Sequence, residues 1–392
     1  MMDNLQNRWY NDGKECPFER RTTMKIELIG APKVVMSNPM GIHNYFGWPS
    51  VARLQDGKIA VAASGYRLSH VCPFGKAVIA FSEDEGETYT NAWPVIDTVL
   101  DDRDAGVVPA AGGNQVIFTS FNNTTEFQRG HCFKSSYDMT VEAAVRRAYC
   151  LAYLDQVSDE EQNKVLGSTY RISNDGGITY GPLQISPITS PHGPGALKDG
   201  GWLWVGRVFS ADDSFGTGFN YVQAYYIAPD GTMEKRGEIP NIFEDGKLLF
   251  SCEPHVIELP DGKLITHIRV QGHGYFTTYQ SESADGGHTW TKPHAVLGKC
   301  GGAPAHLYQH SSGVLISVYG YREQTYGIRA MFSMDGGITW ETDHVIWENP
   351  LTPDLGYPAT VELKDGSLLT VFYAHEKEGE PAVIMQQRWK LQ

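Results

Sequence analysis

No two cysteines of this 392-residue chain form a CxxC pair; the six, at 16, 72, 132, 150, 252 and 300, sit far apart at no framework spacing. That argues against a disulfide scaffold or a thiolate metal knuckle, and free thiols in a reducing cytoplasm are the expectation. Positive charge is scarce too. With 32 Lys and Arg against 46 Asp and Glu, the formal net charge is −14, which argues against nucleic acid and against an anionic membrane surface as partners. No apolar run is long enough to cross a bilayer, and residues 1–23 are polar and charged, unlike a signal peptide. No His, Asp and Cys spacing reads as a metal site, so neither a metal nor another cofactor is expected.

What the chain does have is repetition. Ser82-Glu83-Asp84-Glu85-Gly86-Glu87-Thr88-Tyr89 returns at Ser173 to Tyr180, at Ser283 to Trp290 and at Ser333 to Trp340, each time as Ser-x-Asp-x-Gly-x-Thr-aromatic. Reuse of a phrase at a coarse period marks one supersecondary unit used several times. Asp and Gly at its centre suit a tight hairpin, with Ser and Thr able to satisfy the loose amides and the aromatic offering a plate to a neighbour. Four such tips on repeating units cannot converge on one substrate, so they are scaffold.

A second series interleaves with the first. Asp56-Gly57, Asp199-Gly200, Asp261-Gly262 and Asp365-Gly366 each stand between β-rich runs, and Gly112-Gly113 and Ser312-Gly313 fill the gaps, which makes six hairpin turns. Strand, turn, strand, loop, strand, Ser-x-Asp turn, strand describes a four-stranded antiparallel sheet. Six of these arranged radially make an all-β, six-bladed propeller in a single domain. The third unit has only a weak second turn at Pro229-Asp230-Gly231, and the sixth has none near Glu376 to Glu380. The strand around Lys25 to Ser37 is the natural piece to complete the last blade, leaving 1–23 as an extension and 24–392 as the propeller. Val141, Ala144, Ala148, Leu151 and Leu154 fall near helical spacing, so a helical insertion in the second blade is expected over about 122–168. Such an insertion serves either to shape a binding site or to make an oligomer contact.

A propeller binds at the mouth of its central channel, near the start of each innermost strand. Candidate residues there are Tyr66 and Arg67 in the first blade, the run Asp101-Asp102-Arg103-Asp104 opening the second, and Cys252-Glu253-Pro254-His255 with Arg269 on the returning strand of the fourth. The fifth offers Arg322 and Arg329, and the sixth opens on Gly356-Tyr357-Pro358. An unpaired Glu253 or Arg269 in such strands would be costly, which favours a partnered or ligand-facing role.

This ordered set, with the Ser-x-Asp repeats, resembles the sialidase (neuraminidase) superfamily of six-bladed Asp-box propellers over nearly the whole chain. The resemblance implies Tyr357 as nucleophile, Glu253 as the base that activates it and Asp104 as general acid. It implies Arg269 and one of Arg322 and Arg329 as clamps on a substrate carboxylate, with Arg322 favoured by its distance from Tyr357, and Arg67 as a further first-blade arginine. The chemistry is coherent. Sialic acids carry a carboxylate on the anomeric carbon, so a neutral phenol approaches more readily than a carboxylate nucleophile, and its pKa near 10 calls for a base. Arginine recognises a carboxylate in a bidentate fashion that lysine does not.

One position departs from that family. Where it reads aromatic-Arg-Ile-Pro, this chain has Phe46-Gly47-Trp48-Pro49, so glycine stands in place of the first clamp arginine. His43, Asn44, Tyr45 and Trp48 would then face a neutral or differently placed group. The expectation is a sialidase-like retaining exo-glycosidase acting on a terminal acidic sugar, a carbohydrate being the partner. Two alternatives stand beside it: a polysaccharide lyase or His-dependent glycosidase on the same propeller, using residues such as His255, His70, His192 or His273, and a glycan-binding propeller without catalysis.

Overall fold

The Asp-Gly turns at 56–57, 199–200, 261–262 and 365–366 each join the first and second strands of a blade, and every Ser-x-Asp phrase joins the third and fourth. The computed structural model describes residues 24–133, 140–209, 219–272, 274–299, 301–348 and 351–392. The extension 1–23, Cys16, Cys300 and His273 lie outside them.

The chain is an all-β six-bladed propeller of antiparallel sheets. Blade 1 runs through Tyr45–Arg53, Ile59–Arg67, Lys76–Ser82 and Trp93–Ile96, and blade 2 through Arg103–Pro109, Val116–Phe121, Ser168–Ser173 and Gln184–Ser186. Blade 4 comprises Phe250–Glu258, Leu264–Gln271, Phe276–Ser283 and His294–Ala295; blade 5 comprises Gly302–Gln309, Leu315–Tyr321, Gly327–Ser333 and Glu341–Glu348. Blade 3 is irregular. Its inner position is shared by the short pieces Ile188–Thr189 and Gly195–Ala196, both paired with Trp202–Val208, and its outer turn at Pro229-Asp230-Gly231 joins Val222–Ile227 to Met233–Ile239.

Blade 6 is closed by the other end of the chain. Gly356–Glu362, Leu368–His375 and Ala382–Leu391 are completed by Ile26–Met36, which pairs with the C-terminal strand from Ile26 opposite Leu391 to Met36 opposite Ile384. This removes the free edge that an open ring would leave.

Between neighbouring blades lie apolar layers built from alternate residues of facing sheets. One joins blades 6 and 1 through Val51, Val61, Val361 and Val371; another joins blades 1 and 2 through Ala60, Ile79, Val107 and Phe118. The Ser-x-Asp tips seal these layers from outside. Gln386 of blade 6 donates to the carbonyl of Gly86 at 2.7 Å, and Gln280 of blade 4 does the same to Gly337 while accepting from Trp340 Nε1 at 2.8 Å. Each tip thus rests on the preceding blade.

Among the described residues, the insertion between the second and third strands of blade 2 forms three helices, α1 (Thr125–His131), α2 (Val141–Leu154) and α3 (Asp159–Val165). Their starts are set by Thr124, Thr140 and Ser158, each accepting a backbone N–H of the first turn, with Glu161 completing a capping box on Ser158. Cys132, Ala143 and Cys150 pack against Leu68, Val71 and Cys72, so the insertion backs the loop after the second strand of blade 1.

Candidate active site

Four inner strands begin with the same backbone device. Trp48, Asp104, Glu253 and Tyr357 have φ of 50°, 56°, 50° and 49°, and at each the ladder to the second strand slips register. Proline follows Trp48, Glu253 and Tyr357, and alanine follows Asp104. A left-handed residue in a bulge re-aims its side chain out of the sheet's alternation, here toward the channel mouth. Bulky residues hold such a φ only where surroundings force it, at about 1–3 kcal/mol each.

Two of the four are hydrogen-bonded to each other. Tyr357 Oη donates to Glu253 Oε1 at 2.6 Å, and Arg269 Nη1 donates to Glu253 Oε2 at 2.7 Å and reaches Tyr357 Oη at 3.5 Å. Burial first, then the Glu253 charge, raise the phenol pKa well above 10, while Arg269 opposes them. A phenol in that state attacks only if a base takes its proton, and Glu253 is in place to do so. Although burial works against it, Glu253 keeps the Arg269 guanidinium firmly protonated.

Asp104 faces the same centre, with an Oδ1 atom that is buried and without a hydrogen-bond partner. Burial pushes its pKa up to about 6; Arg103 lowers it and Glu253 raises it again. A carboxyl so placed is protonated in mildly acidic solution and able to donate. Its competitors have other tasks. Asp101 pairs with Arg67 at 2.7 Å, and Asp102 accepts the Thr98 amide and Asn122 Nδ2 beneath the strand.

Arg322 stands 5.8 Å from the Tyr357 ring centre, anchored by the carbonyls of Ala303 and Leu355. Arg329, the other fifth-blade candidate, pairs with Asp343 at 3.3 Å and Glu348 at 3.5 Å on the outer strand, away from the centre. That corrects the expectation of a substrate contact there. Arg67 is corrected likewise, because its side chain is 0% exposed and committed to Asp101 and to the carbonyls of His70 and Asp102. Trp48, expected from the sequence to face the substrate, is 1% exposed; Arg103 lies 4.2 Å and Arg67 4.9 Å from its ring centre. His255 is buried in the channel, its ring 4.3 Å from His306 and 5.8 Å from His192. Its Nδ1 accepts the Leu307 amide at 3.0 Å, and burial keeps all three rings below their usual pKa, so they are neutral.

The sequence placed Arg103 in the run that opens the second blade but gave it no role of its own. It is the lone cation in an acidic run, 3.8 Å from Asp104 and stacked on Trp48, and that flanking was its only sequence signal. Tyr373, Asp354 and His375, none of them a candidate from the sequence, come together with Tyr45 beside Gly47 from segments far apart in the chain.

The model of the BNR repeat-like domain matches residues 150–370. The chain belongs to this family. No curated protein sequence matches it. Among solved structures, this BNR repeat-like propeller resembles a protein of unknown function from Dyadobacter fermentans, with 19% identity, a TM-score of 0.68, and 94% of this chain and 99% of that one covered. It also resembles the leech intramolecular trans-sialidase complexed with 2,7-anhydro-Neu5Ac, at 14% identity and a TM-score of 0.60, covering 92% of this chain and 70% of that one. The intramolecular trans-sialidase from Ruminococcus gnavus in complex with oseltamivir carboxylate matches at 14% identity and 0.56, covering 88% and 94%. The BNR repeat-like chain is thus a sialidase-like propeller in fold.

Proposed function

We propose that this protein is a sialidase-like retaining exo-glycosidase that hydrolyses a terminal acidic sugar. The observation that carries the reading is the 2.6 Å hydrogen bond from the Tyr357 phenol to Glu253, with Arg269 on the far carboxylate oxygen. A binding module has no need of a base beside a buried phenol.

In this mechanism Tyr357 Oη attacks the anomeric carbon as its proton passes to Glu253. Asp104 protonates the departing glycosidic oxygen. Water then attacks the glycosyl-tyrosine, with Asp104 taking its proton and Tyr357 leaving with the proton returned by Glu253, so configuration is retained after two displacements. Arg269 and Arg322 flank Tyr357 and are the groups suited to an acidic substituent.

An aryl α-N-acetylneuraminide and a panel of neutral aryl glycosides test the reading, with the anomer released followed by proton NMR. Retention in the wild type and no turnover in Tyr357→Phe are expected. Inversion, or turnover that survives Tyr357→Phe, would overturn it.

A further inference from the structure

The wall beside Gly47 is built differently from the rest of the site. A Cβ there would meet the rings of Tyr45 and Tyr373 at 3.4 and 3.7 Å, so two phenols cover the place where a longer side chain would extend. Both turn to one carboxylate. Tyr45 Oη donates to Asp354 Oδ2 at 3.0 Å and Tyr373 Oη to Oδ1 at 2.9 Å. His375 Nε2 lies 3.0 Å from Asp354 Oδ2, and its Nδ1 lies 2.6 Å from the Glu380 carbonyl. A carboxylate and a carbonyl only accept, so both ring nitrogens of His375 carry protons and the ring is an imidazolium. Its pKa is raised in agreement, Asp354 outweighing the burial that would lower it. Asp354 and His375 therefore neutralise one another.

His70 is the remaining member. Its Nδ1 lies 3.3 Å from Asp354 Oδ1 and 3.2 Å from Tyr45 Oη. With the Tyr45 proton directed to Asp354, Nδ1–H is the donor, and Nε2 is the ring nitrogen left for a further partner. The loop is pinned on both sides: Arg67 Nη2 donates to the His70 carbonyl at 2.8 Å, and the Cys72 amide donates to Asp101 at 3.1 Å. The ring stands edge-on to Trp48 at 4.8 Å. Half of the His70 side chain is exposed, against 27% for Asp354 and 20% for His375. With Nδ1 turned inward, the edge it presents is the Nε2 edge.

We propose that His70 is a further substrate-contacting residue, positioned by Asp354, and that its Nε2 accepts a hydrogen bond from a hydroxyl of the sugar held at Tyr357. The wall that Gly47 opens thus reads a hydroxyl-bearing edge of the sugar, and any carboxylate lies on the side of Arg269 and Arg322. This inference rests on the glycosidase reading of the same site.

The test uses the full chain and the aryl glycoside that the wild type turns over best, together with each of its monodeoxy analogues. His70→Ala, a change at a half-exposed loop residue, is expected to raise KM about tenfold while kcat moves less than about threefold, the loss of one bound hydrogen bond. One monodeoxy analogue reproduces that loss in the wild type and adds none in His70→Ala, and His70→Gln, which keeps an acceptor near the Nε2 position, restores part of it. Imidazole nitrogen NMR shows His70 in the Nδ1–H form, shifted in Asp354→Asn. An unchanged KM in His70→Ala, additive losses for every analogue, or an Nε2–H form in the wild type would overturn the proposal. Should no glycoside be turned over, the hydrolysis reading fails by itself. The His70 nitrogen signals are then titrated with free N-acetylneuraminic acid and with neutral hexoses; a shift supports the contact, and no shift with any of them overturns it.

Discussion

The outer tips and the inner bulges of this propeller are both repeated four times, but different things are repeated. At the tips, side chains and geometry recur together: Ser Oγ meets Asp Oδ1 at 2.8, 2.7, 2.8 and 2.8 Å, and the Thr amide meets the same oxygen at 2.8, 2.9, 2.9 and 2.9 Å. At the bulges only the backbone recurs, with φ between 49° and 56°, while the side chains are Trp48, Asp104, Glu253 and Tyr357. A device repeated with its side chains is bonded to itself and holds the blade. A backbone device that recurs with different side chains aims distinct chemistry at one point, and the strain it carries is confined to that point.

The comparison can be broken at either end. The largest effect is expected for Tyr357→Phe, which removes the attacking oxygen while keeping the ring; kcat on an aryl glycoside should fall by roughly three orders or more, with the fold intact by circular dichroism. A bulge residue that could be changed without that loss would make the bulges scaffold as well. Next is Glu253→Gln. Loss of the base should lower kcat roughly 10²–10⁴-fold, and Arg269 is left without its charge partner, so chemical denaturation should show a loss of about 3–5 kcal/mol.

Asp104 sharpens the contrast through pH. Its pKa is raised from 3.8 to about 6, so the acid form is lost as pH rises through about 6, and kcat/KM should decline there in the wild type. Asp104→Asn should lower activity and lack that limb. For stability the sign is opposite to that of an ion-paired carboxylate. The folded state holds the proton more tightly than the unfolded one, so the folded protein loses stability as pH climbs from about 4 to about 6. Asp104→Asn should therefore be more stable above pH 6, by up to about 3 kcal/mol in urea denaturation. The smallest effect is expected at a tip. Ser173→Ala leaves the Gly177 amide, now 2.9 Å from Ser173 Oγ, without a partner, at a cost of about 1–3 kcal/mol in stability with kcat unchanged.

Most of the fold was legible because hairpin turns are local. Asp261-Gly262 and the Ser283 to Trp290 phrase bond within a few residues of themselves, so their pattern survives in the sequence and lets the inner positions be counted. Tyr357, Glu253 and Arg269 could be found that way. The burial of Arg67 could not, because it depends on Asp101, thirty-four positions away, turning back beneath the loop. Nor could the outward course of Arg329: Arg322 lies just past the second strand and Arg329 seven positions on, in the third, and only the pairing of the third strand with the fourth directs Arg329 toward Asp343 and Glu348. The Asp354 cluster draws on blades 1 and 6, which ring closure alone brings together.

By itself the sequence determined the blade count, the closing strand and the kinds of side chain that stand at the inner strand starts, since these follow from turn chemistry and alternation within short segments. Tertiary structure decided which charges are paired and which are presented. Closing the ring commits Arg67 to Asp101 and His375 to Asp354, and leaves Tyr357, Glu253, Asp104 and the exposed edge of His70 at the mouth of the channel, because a buried charge must find its partner in space and not along the chain.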